Sequence, residues 1–328
     1  MVSNDILKME ESYDLQNMIK IDSEPFLSMR LVECVPNFSN GIDSSVVEQI
    51  VGAIKSTDTV KILDIEMDAS HNRSVVTFIV SFENAVNAAF NGIKVAASLI
   101  NMEKHHGEHP RFGAADVVPF IPISGVTIGE CVELARKLGE RVGSELSIPV
   151  YLYSEAATKD SRRNLENIRN SKFQYEQLKE QINRQEWIPD YGPSVVGSAG
   201  ASIIGARDFL IAYNVYLDTQ DLNIGKKIAT ALRAKDGGLA FVKSLAFFIK
   251  EKNQIQISMN LTNFHKTPIY RALELVRLEA KRYGLSVTES EIVGLVPLDS
   301  ILNSLSYYLC MDRIDRKKIL EYKLLETQ

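Results

Sequence analysis

The order of strand-like and helix-like segments repeats along this chain, and the repeat limits the folds that it can adopt. Apolar residues alternate where strands are expected and recur at helical spacing where helices are expected. From Arg30, these patterns predict strand, helix, strand, strand, helix and strand over residues 30–35, 44–54, 60–65, 73–80, 85–100 and 117–123. The second half predicts the same order over residues 209–217, 223–233, 239–249, 254–261, 267–283 and 285–287. The sequence therefore predicts an α/β fold with two ferredoxin-like α/β sandwich subdomains and a ligand groove between them.

The repeats divide the chain into three parts. Residues 1–28 are polar and weakly patterned, and we expect them to be an appendage whose removal leaves the fold and the activity intact. We assign residues 29–207 to an N-terminal subdomain and residues 208–328 to a C-terminal subdomain. Before the boundary, the charged stretch 161–187 predicts one or two solvated helices, and the Gly- and Ser-rich stretch 191–205 is typical of a flexible linker.

The composition excludes several classes of function. The net charge of −5 gives no bulk attraction to nucleic acid. Three distant cysteines, without a CxxC pair, indicate a reducing compartment, and we expect a cytoplasmic protein. No run of about 18 apolar residues is present, so no membrane span is expected. Acidic residues occupy the amino end where a secretory signal would need an apolar core.

The densest group of ionisable residues is the segment KHHGEHPR, residues 104–111. A metal site on His106 and His109 is one interpretation, but the neighbouring glycine and proline break the helix that would bring both rings to one face. The alternative is a catalytic loop, since the pKa of a histidine, about 6.5, suits a general base. We predict this role for His109, no metal, and exposed positions without chemistry for His105 and His106.

Three further segments are candidates for the site. The polar turn 68–73 is equally consistent with a simple hairpin turn and with a site on Asp68 and His71, and Arg73 begins the strand that follows. The stretch 35–41 reads as a helix entry with Asp43 as the N-cap. The glycine-rich stretch 192–202 lacks the spacing of a phosphate-binding loop.

Six segments, in order, resemble the glutamate formiminotransferase family. They are VECVPNFS (32–39), HNRSVVTF (71–78), GEHPRFGAADVVPFIP (107–122), VYLYSEAATKD (150–160), GARDFLIAYN (205–214) and QISMNL (256–261). The resemblance implies two α/β subdomains around a folate groove, a catalytic histidine at His109, and a homodimer. It also implies a folate-binding stretch over Gly192, Pro193, Ser194, Val195, Val196, Gly197, Ser198, Ala199 and Gly200.

The resemblance further implies the substrates. Formiminoglutamate would be the donor and tetrahydrofolate the cosubstrate, and a cyclodeaminase, fused in animal members, would be a separate protein or missing here. The sequence departs from the animal pattern at three places: residues 1–28, Glu66 in place of Asp, and Ala199 in place of an aromatic residue. Stacking of the folate rings at Ala199 is therefore in doubt.

The chemistry needs proton handling and anion binding. One histidine can serve as base and then as acid, so His109 suffices in principle. Both substrates carry carboxylates, and guanidinium groups bind carboxylates through paired hydrogen bonds, so Arg73, Arg111 and Arg207 are hypothetical carboxylate-binding residues. Two alternatives remain at this stage: a formyl transferase on the same scaffold, and a non-catalytic folate-binding partner of a cyclodeaminase. A metal-dependent hydrolase that uses His106 and His109 is a further, more distant alternative.

Overall fold

The computed structural model describes residues 30–325, and the prediction for residues 1–28 lies outside them. The described chain is a mixed α/β protein with two separate sheets. Strands of the first sheet end at Ala206, and those of the second begin at Ile211. No helix among residues 30–325 has the length and the apolar character that crossing a bilayer requires.

Within residues 30–325, the first sheet is built from seven strands. They are β1 Leu31–Cys34, β2 Asn37–Phe38, β3 Lys61–Asp68, β4 Arg73–Ser81, β5 Ala115–Ser124, β6 Val150–Ser154 and β7 Ser202–Ala206. The helices of this half are α1 Ser44–Lys55, α2 Ala85–Leu99, α3 Ile128–Glu145, α4 Leu165–Ile168 and α5 Tyr175–Gln181. Strands β1 and β2 both lie between β4 and β5, β3 pairs with the outer side of β4, and β7 and β6 extend the sheet beyond β5.

Strand β2 was not expected from the sequence. Pro36 ends β1, and the chain then continues between the same two strands, β4 and β5. Asn37 therefore pairs with Val75 of β4 on one side and with Val117 of β5 on the other. The predicted helix entry follows, and the Asp43 side chain accepts a hydrogen bond from the Ser45 N–H as the predicted N-cap of α1. The interruption places a polar side chain in the middle of the sheet.

The two faces of the first sheet differ in chemistry. Along β4, buried and half-buried residues alternate, with Val76 and Phe78 packed into the core beneath the long helices. The opposite face carries Arg73 and Val75, and residues directly across a ladder share a face, so Asn37 and Glu66, the two partners of Val75, lie there too. Polar groups are therefore concentrated on the sheet face away from α1–α3.

The second sheet repeats the strand order of the first. Its elements are β8 Ile211–Leu217, α6 Leu222–Leu232, β9 Val242–Ile249, β10 Gln254–Leu261, α7 Ile269–Lys281 and β11 Val287–Val293, with spatial order β11-β8-β10-β9. Strand β11 is longer and later than predicted, because its polar residues give no apolar alternation. The sequence also missed α8 Leu298–Tyr308 and α9 Leu320–Leu325.

The charged stretch before the boundary forms two short helices, as predicted, and most of its residues are exposed, but part of it is buried. Its short helices α4 and α5 bury Ile168 and Leu178 in the first core. Arg162 is also buried, donates to the backbone oxygens of Glu186 and Ile188, and pairs with Asp190 at 2.7 Å. The charges that suggested a surface helix thus include a buried ion pair.

The glycine-rich stretch is likewise not a free linker. Residues 202–206 form β7, which lies between β5 and β6 in parallel pairing with both. Just before it, the Ala201 N–H donates to the Phe112 oxygen at 3.0 Å, and the Ala114 N–H donates to the Ala199 oxygen at 2.8 Å. Backbone hydrogen bonds therefore fix this stretch against the segment that leads into β5.

Candidate active site

A small polar cavity lies where β2, the β3–β4 turn and the loop before β5 meet. Its lining comprises Phe38, Ser39, His71, Asn72, Arg73, His105, His109, Arg111 and Asp116. We call residues 103–113 the histidine loop. The cavity brings together His109, Arg73 and Arg111 of the residues predicted from sequence, while Arg207 is absent from its lining.

His109 is held in its neutral form. Burial, followed by the positive charges of Arg73 and Arg169, lowers the pKa of His109 from 6.5 to about 3. A ring that is uncharged at neutral pH has a free lone pair, so it can accept a proton from a substrate amine. The same two arginines would stabilise an anionic substrate bound beside the ring.

Arg73 and Arg169 are buried cations that the protein does not fully satisfy. The Nε atoms of both are buried without a hydrogen-bond partner among the described residues 30–325. Arg73 hydrogen-bonds Asn37 through Nη2, and Arg169 lies 3.0 Å from the Asp116 carboxylate. Desolvation lowers the pKa of Arg73, and the charge of Asp116 opposes that effect. Unused N–H donors of this kind are suited to an anionic ligand.

Arg111, by contrast, is fully engaged by the protein. Its Nε donates to His105 Nδ1 at 3.2 Å, and its Nη2 donates to the His105 oxygen at 3.1 Å. The remaining N–H groups donate to Gln174 at 2.8 Å and to both oxygens of Glu176 at 2.9 and 2.7 Å. A guanidinium has five N–H donors, so none is left for a substrate carboxylate.

His105 is therefore not the exposed residue that the sequence suggested. It is 8% exposed, and its Nε2 lies 3.0 Å from the Asn72 oxygen while its Nδ1 accepts from Arg111. Burial lowers the pKa of His105, in keeping with a neutral ring that bridges two segments. His106 is exposed, as predicted.

The turn between β3 and β4 is both a hairpin turn and part of the cavity. Asp68 accepts from the His71 backbone N–H at 3.0 Å, and its other oxygen lies 2.5 Å from His71 Nδ1. The centroids of the His71 and His109 rings lie 6.1 Å apart in an edge-on arrangement. The turn and the histidine loop thus present two imidazole rings side by side.

The glycine-rich stretch lies beside the histidine loop. Gly200 has φ +75, and a Cβ there would fall 2.2 Å from the Phe112 oxygen, so the position requires glycine. Gly197 differs, since a Cβ built on it has nothing within 4 Å. Val195 is 69% exposed. The stretch therefore has a packed end at Gly200 and an open part around Val195 and Gly197.

Arg207 lies beyond the end of β7, near a second buried acid. Glu33 of β1 is 3% exposed, and burial raises the pKa of Glu33 to about 7 against the opposing charge of Arg207. The site residues predicted from the sequence did not include Glu33, Asp116 and Arg169. Glu33 and Asp116 each carry a charge within an otherwise apolar strand, and this signal could have identified them. Arg169 gave no such signal, because it lies in a stretch rich in charged residues.

No group of three or more His, Cys, Asp or Glu side chains that could hold a metal ion is present among residues 30–325. His106 and His109 do not converge, because His106 is exposed while His109 is directed into the cavity.

Comparison with known proteins shows the family of this chain. Residues 31–207 match the family model of the formiminotransferase domain, N-terminal subdomain, and residues 212–324 match that of the formiminotransferase domain. The chain belongs to the formiminotransferase family.

Relatives of this family align over most of the chain. A protein of Thermoplasma acidophilum named glutamate formimidoyltransferase is 64% identical, over 90% of this chain and 98% of that protein. One of the same name from Streptococcus pyogenes serotype M1 is 42% identical, over 90% of this chain and 99% of that protein. The formimidoyltransferase-cyclodeaminase of Rattus norvegicus is 43% identical over 87% of this chain, which spans only 53% of that protein.

Proposed function

We propose that this protein is a glutamate formimidoyltransferase, which moves the formimino group of N-formimino-L-glutamate to tetrahydrofolate and releases glutamate. The observation that carries the proposal is the neutral His109 in a polar cavity, under the influence of two incompletely satisfied arginines, Arg73 and Arg169. The reaction needs a proton acceptor beside bound carboxylates, and this arrangement supplies both. The full-length relationship to proteins of that name supports the proposal.

The chemistry follows from the ring and its neighbours. The amine nitrogen of tetrahydrofolate attacks the formimino carbon, and the unprotonated nitrogen of His109 takes the proton that the amine loses. The bond from that carbon to the glutamate nitrogen then breaks, and this nitrogen gains one proton. Proton transfer by a positioned group contributes about 10²–10⁴-fold to rate, and alignment of two substrates contributes more.

The arginines take different roles in this proposal. Arg73 and Arg169 bind substrate carboxylate through their unused Nε–H groups, because both groups are buried without a partner in the described chain and both charges act on His109. Arg111 instead holds the histidine loop in place, since its five donors are already used. Arg207 remains a candidate for a more distant carboxylate of the folate.

We further propose that each half is a ferredoxin-like α/β sandwich. The supporting observation is the strand order, in which the first and third strands of each β-α-β-β-α-β unit are central. The boundary falls at residues 207/208, between the two sheets. The folate lies in a groove between the halves, along residues 192–200, whose exposed Val195 and open space at Gly197 suit a ligand.

The cellular setting completes the proposal. We place the protein in the cytoplasm as a homodimer without a metal cofactor. We also propose a cyclodeaminase as a partner that uses its product; this chain spans 53% of the rat formimidoyltransferase-cyclodeaminase.

The test is an absorbance assay of 5-formiminotetrahydrofolate formation with formiminoglutamate and tetrahydrofolate. We expect turnover by the unaltered chain, unchanged by EDTA, and a loss of about 10²–10⁴-fold in His109→Ala with the melting temperature retained. N-formylglutamate in place of formiminoglutamate separates the formyl alternative. Turnover with the formyl donor alone would replace the proposal, and folate binding without any turnover would favour a non-catalytic partner.

A further inference from the structure

The proposed reaction moves two protons, and His109 is poorly placed to manage both alone. Burial, followed by the positive charges of Arg73 and Arg169, lowers the pKa of His109, so a protonated ring is disfavoured until substrate carboxylates arrive. A proton taken by this ring is therefore held weakly. A neighbouring group that accepts it would let His109 return to its neutral form.

His71 is such a neighbour. Its ring is edge-on to that of His109, with centroids 6.1 Å apart, and both line the same cavity. The sequence of the turn is equally consistent with a simple hairpin and with a site at His71, and the role proposed for His109 does not involve His71. Ring-to-ring proximity in a shared cavity is what a proton transfer between the two would need.

Asp68 prepares the His71 ring for this task. The carboxylate accepts from Nδ1 at 2.5 Å and from the backbone N–H of the same residue at 3.0 Å, which fixes the ring and keeps the proton on Nδ1. Nε2 makes no hydrogen bond within the described chain, so it is the basic nitrogen. Desolvation raises the pKa of Asp68, but these hydrogen bonds outweigh it and the pKa falls, so a charged carboxylate lies beside Nδ1.

We propose that His71, oriented by Asp68, is the second proton-transfer group of this site. This inference rests on the proposed transferase function. Protonated His71 gives its Nε2 proton to the departing glutamate nitrogen, while His109 takes the proton from the attacking amine. Transfer of that proton from His109 to His71 then restores both rings. One proton leaves the amine and one reaches glutamate, so the cycle balances.

The alternative is a surface ion pair with no catalytic role. The side chains of His71 and Asp68 are 46% and 52% exposed, and pairs of this kind contribute little to stability. The same exposure makes chemical rescue possible, because a small molecule can enter the space that a shortened His71 side chain would leave.

The experiment compares His71→Gln, His71→Gly and Asp68→Asn, with His106→Gln as the matched control. His106 is an exposed histidine on the adjacent loop, outside the cavity lining. We expect kcat to fall about 10²-fold in both His71 variants, with KM for both substrates within about twofold. The kcat of Asp68→Asn should fall less than that of the His71 variants. The kcat of His106→Gln should equal that of the unaltered protein. Added imidazole should raise the kcat of His71→Gly, at an exposed position, more than that of His109→Ala, at a half-buried one.

Each other result overturns the inference. Normal turnover in His71→Gln would show that His109 works alone. A fall in kcat with raised KM and no imidazole rescue would make His71 a structural residue of the turn. Equal loss in His106→Gln would point to general damage of the loops. Absence of turnover in the unaltered chain would remove the proposed function itself and this role with it, which separates the two failures.

Discussion

Arg111 and Glu176 are joined by two parallel hydrogen bonds, Nη1 to Oε2 at 2.9 Å and Nη2 to Oε1 at 2.7 Å. The arginine is a buried residue of the histidine loop, and the glutamate comes from α5, in the stretch expected to be solvated. The pair thus ties the loop that carries His109 to a helix more than sixty residues further along the chain.

We expect Glu176→Gln to lower the free energy of unfolding by about 1–2 kcal/mol, because a buried guanidinium loses its counter-charge while the half-exposed position lets water replace part of it. Turnover should fall as well, since the His109 loop loses its anchor. Urea denaturation measures the first effect and the folate assay the second. Glu180→Gln, at an exposed residue of the same helix, is the control and should change neither. An unaltered stability in Glu176→Gln would show that the hydrogen bonds of Gln174 suffice.

Removing the charge of Arg73 should raise the pKa of His109. Burial is the larger cause of the low value, and Arg73 is the next, so Arg73→Gln should move the pKa from about 3 partway towards 6.5. Two-dimensional NMR of the ring protons against pH follows this titration. Arg136→Gln, at an exposed arginine of α3 paired with Glu133, should leave His109 unchanged. A His109 titration that is the same in both variants would contradict the electrostatic account.

The glycine-rich stretch should respond differently at its two glycines. Gly197→Val adds a side chain in open space, so we expect the fold to persist and tetrahydrofolate binding to weaken. Gly200→Ala should instead lower the melting temperature without ligand, because φ is +75 and the Phe112 oxygen occupies the position of the new methyl group. Thermal shift with tetrahydrofolate, and with formiminoglutamate as the reference ligand, separates these effects. Full folate affinity in Gly197→Val would place the folate elsewhere.

Stability should depend on pH through Glu33. Burial raises the pKa of Glu33 from 4.5 to about 7 in the folded protein. Below pH 4.5 the side chain is protonated in both states. Between pH 4.5 and about 7 the unfolded state releases the proton while the folded state keeps it, so this favourable contribution falls and is lost once the pH has passed the folded pKa. Glu33→Gln should therefore be more stable than the unaltered protein by up to about 3 kcal/mol at pH 8, and equal to it near pH 4. Glu48→Gln, on the exposed face of α1, should show no such pH-dependent difference in stability. A difference independent of pH would refute the assignment.

The sequence predicted the regular elements well where one face is buried. Strand β10 runs over Gln254–Leu261 as expected, and α1 differs from its prediction by one residue, because apolar periodicity reports burial directly. Strand β11 was misjudged, since its polar residues are aligned by hydrogen bonds to β8 and not by a buried face. Strand β2 was missed because Pro36 ends the local strand pattern of the sequence. The two residues of β2 are held in the sheet by pairing with β4 and β5, which a local pattern does not show.

The site divides in the same way. His109 was identified from a local segment in which glycine and proline exclude a helix, and from the family resemblance. The partnership of Arg169 with Asp116 joins positions far apart in sequence, and no local pattern reports such a pair. The full use of Arg111 by His105, Gln174 and Glu176 was equally hidden, because a motif shows which residues are present and not how many of their donors remain.

The ends of the histidine loop have a consequence for access to the site. The Met102 N–H donates to the Ser198 oxygen at 2.7 Å, and the Ala114 N–H donates to the neighbouring Ala199 oxygen at 2.8 Å. Both ends are thereby fastened to consecutive peptide groups, which closes the loop on itself as a compact Ω-shaped segment. A loop anchored this way has no separated hinges about which to swing, so it should not act as a lid. We expect the Met102 and Ala114 amide protons to exchange with deuterium as slowly as those of the central strands, and substrate entry to depend on movement of the surrounding segments past a stationary His109.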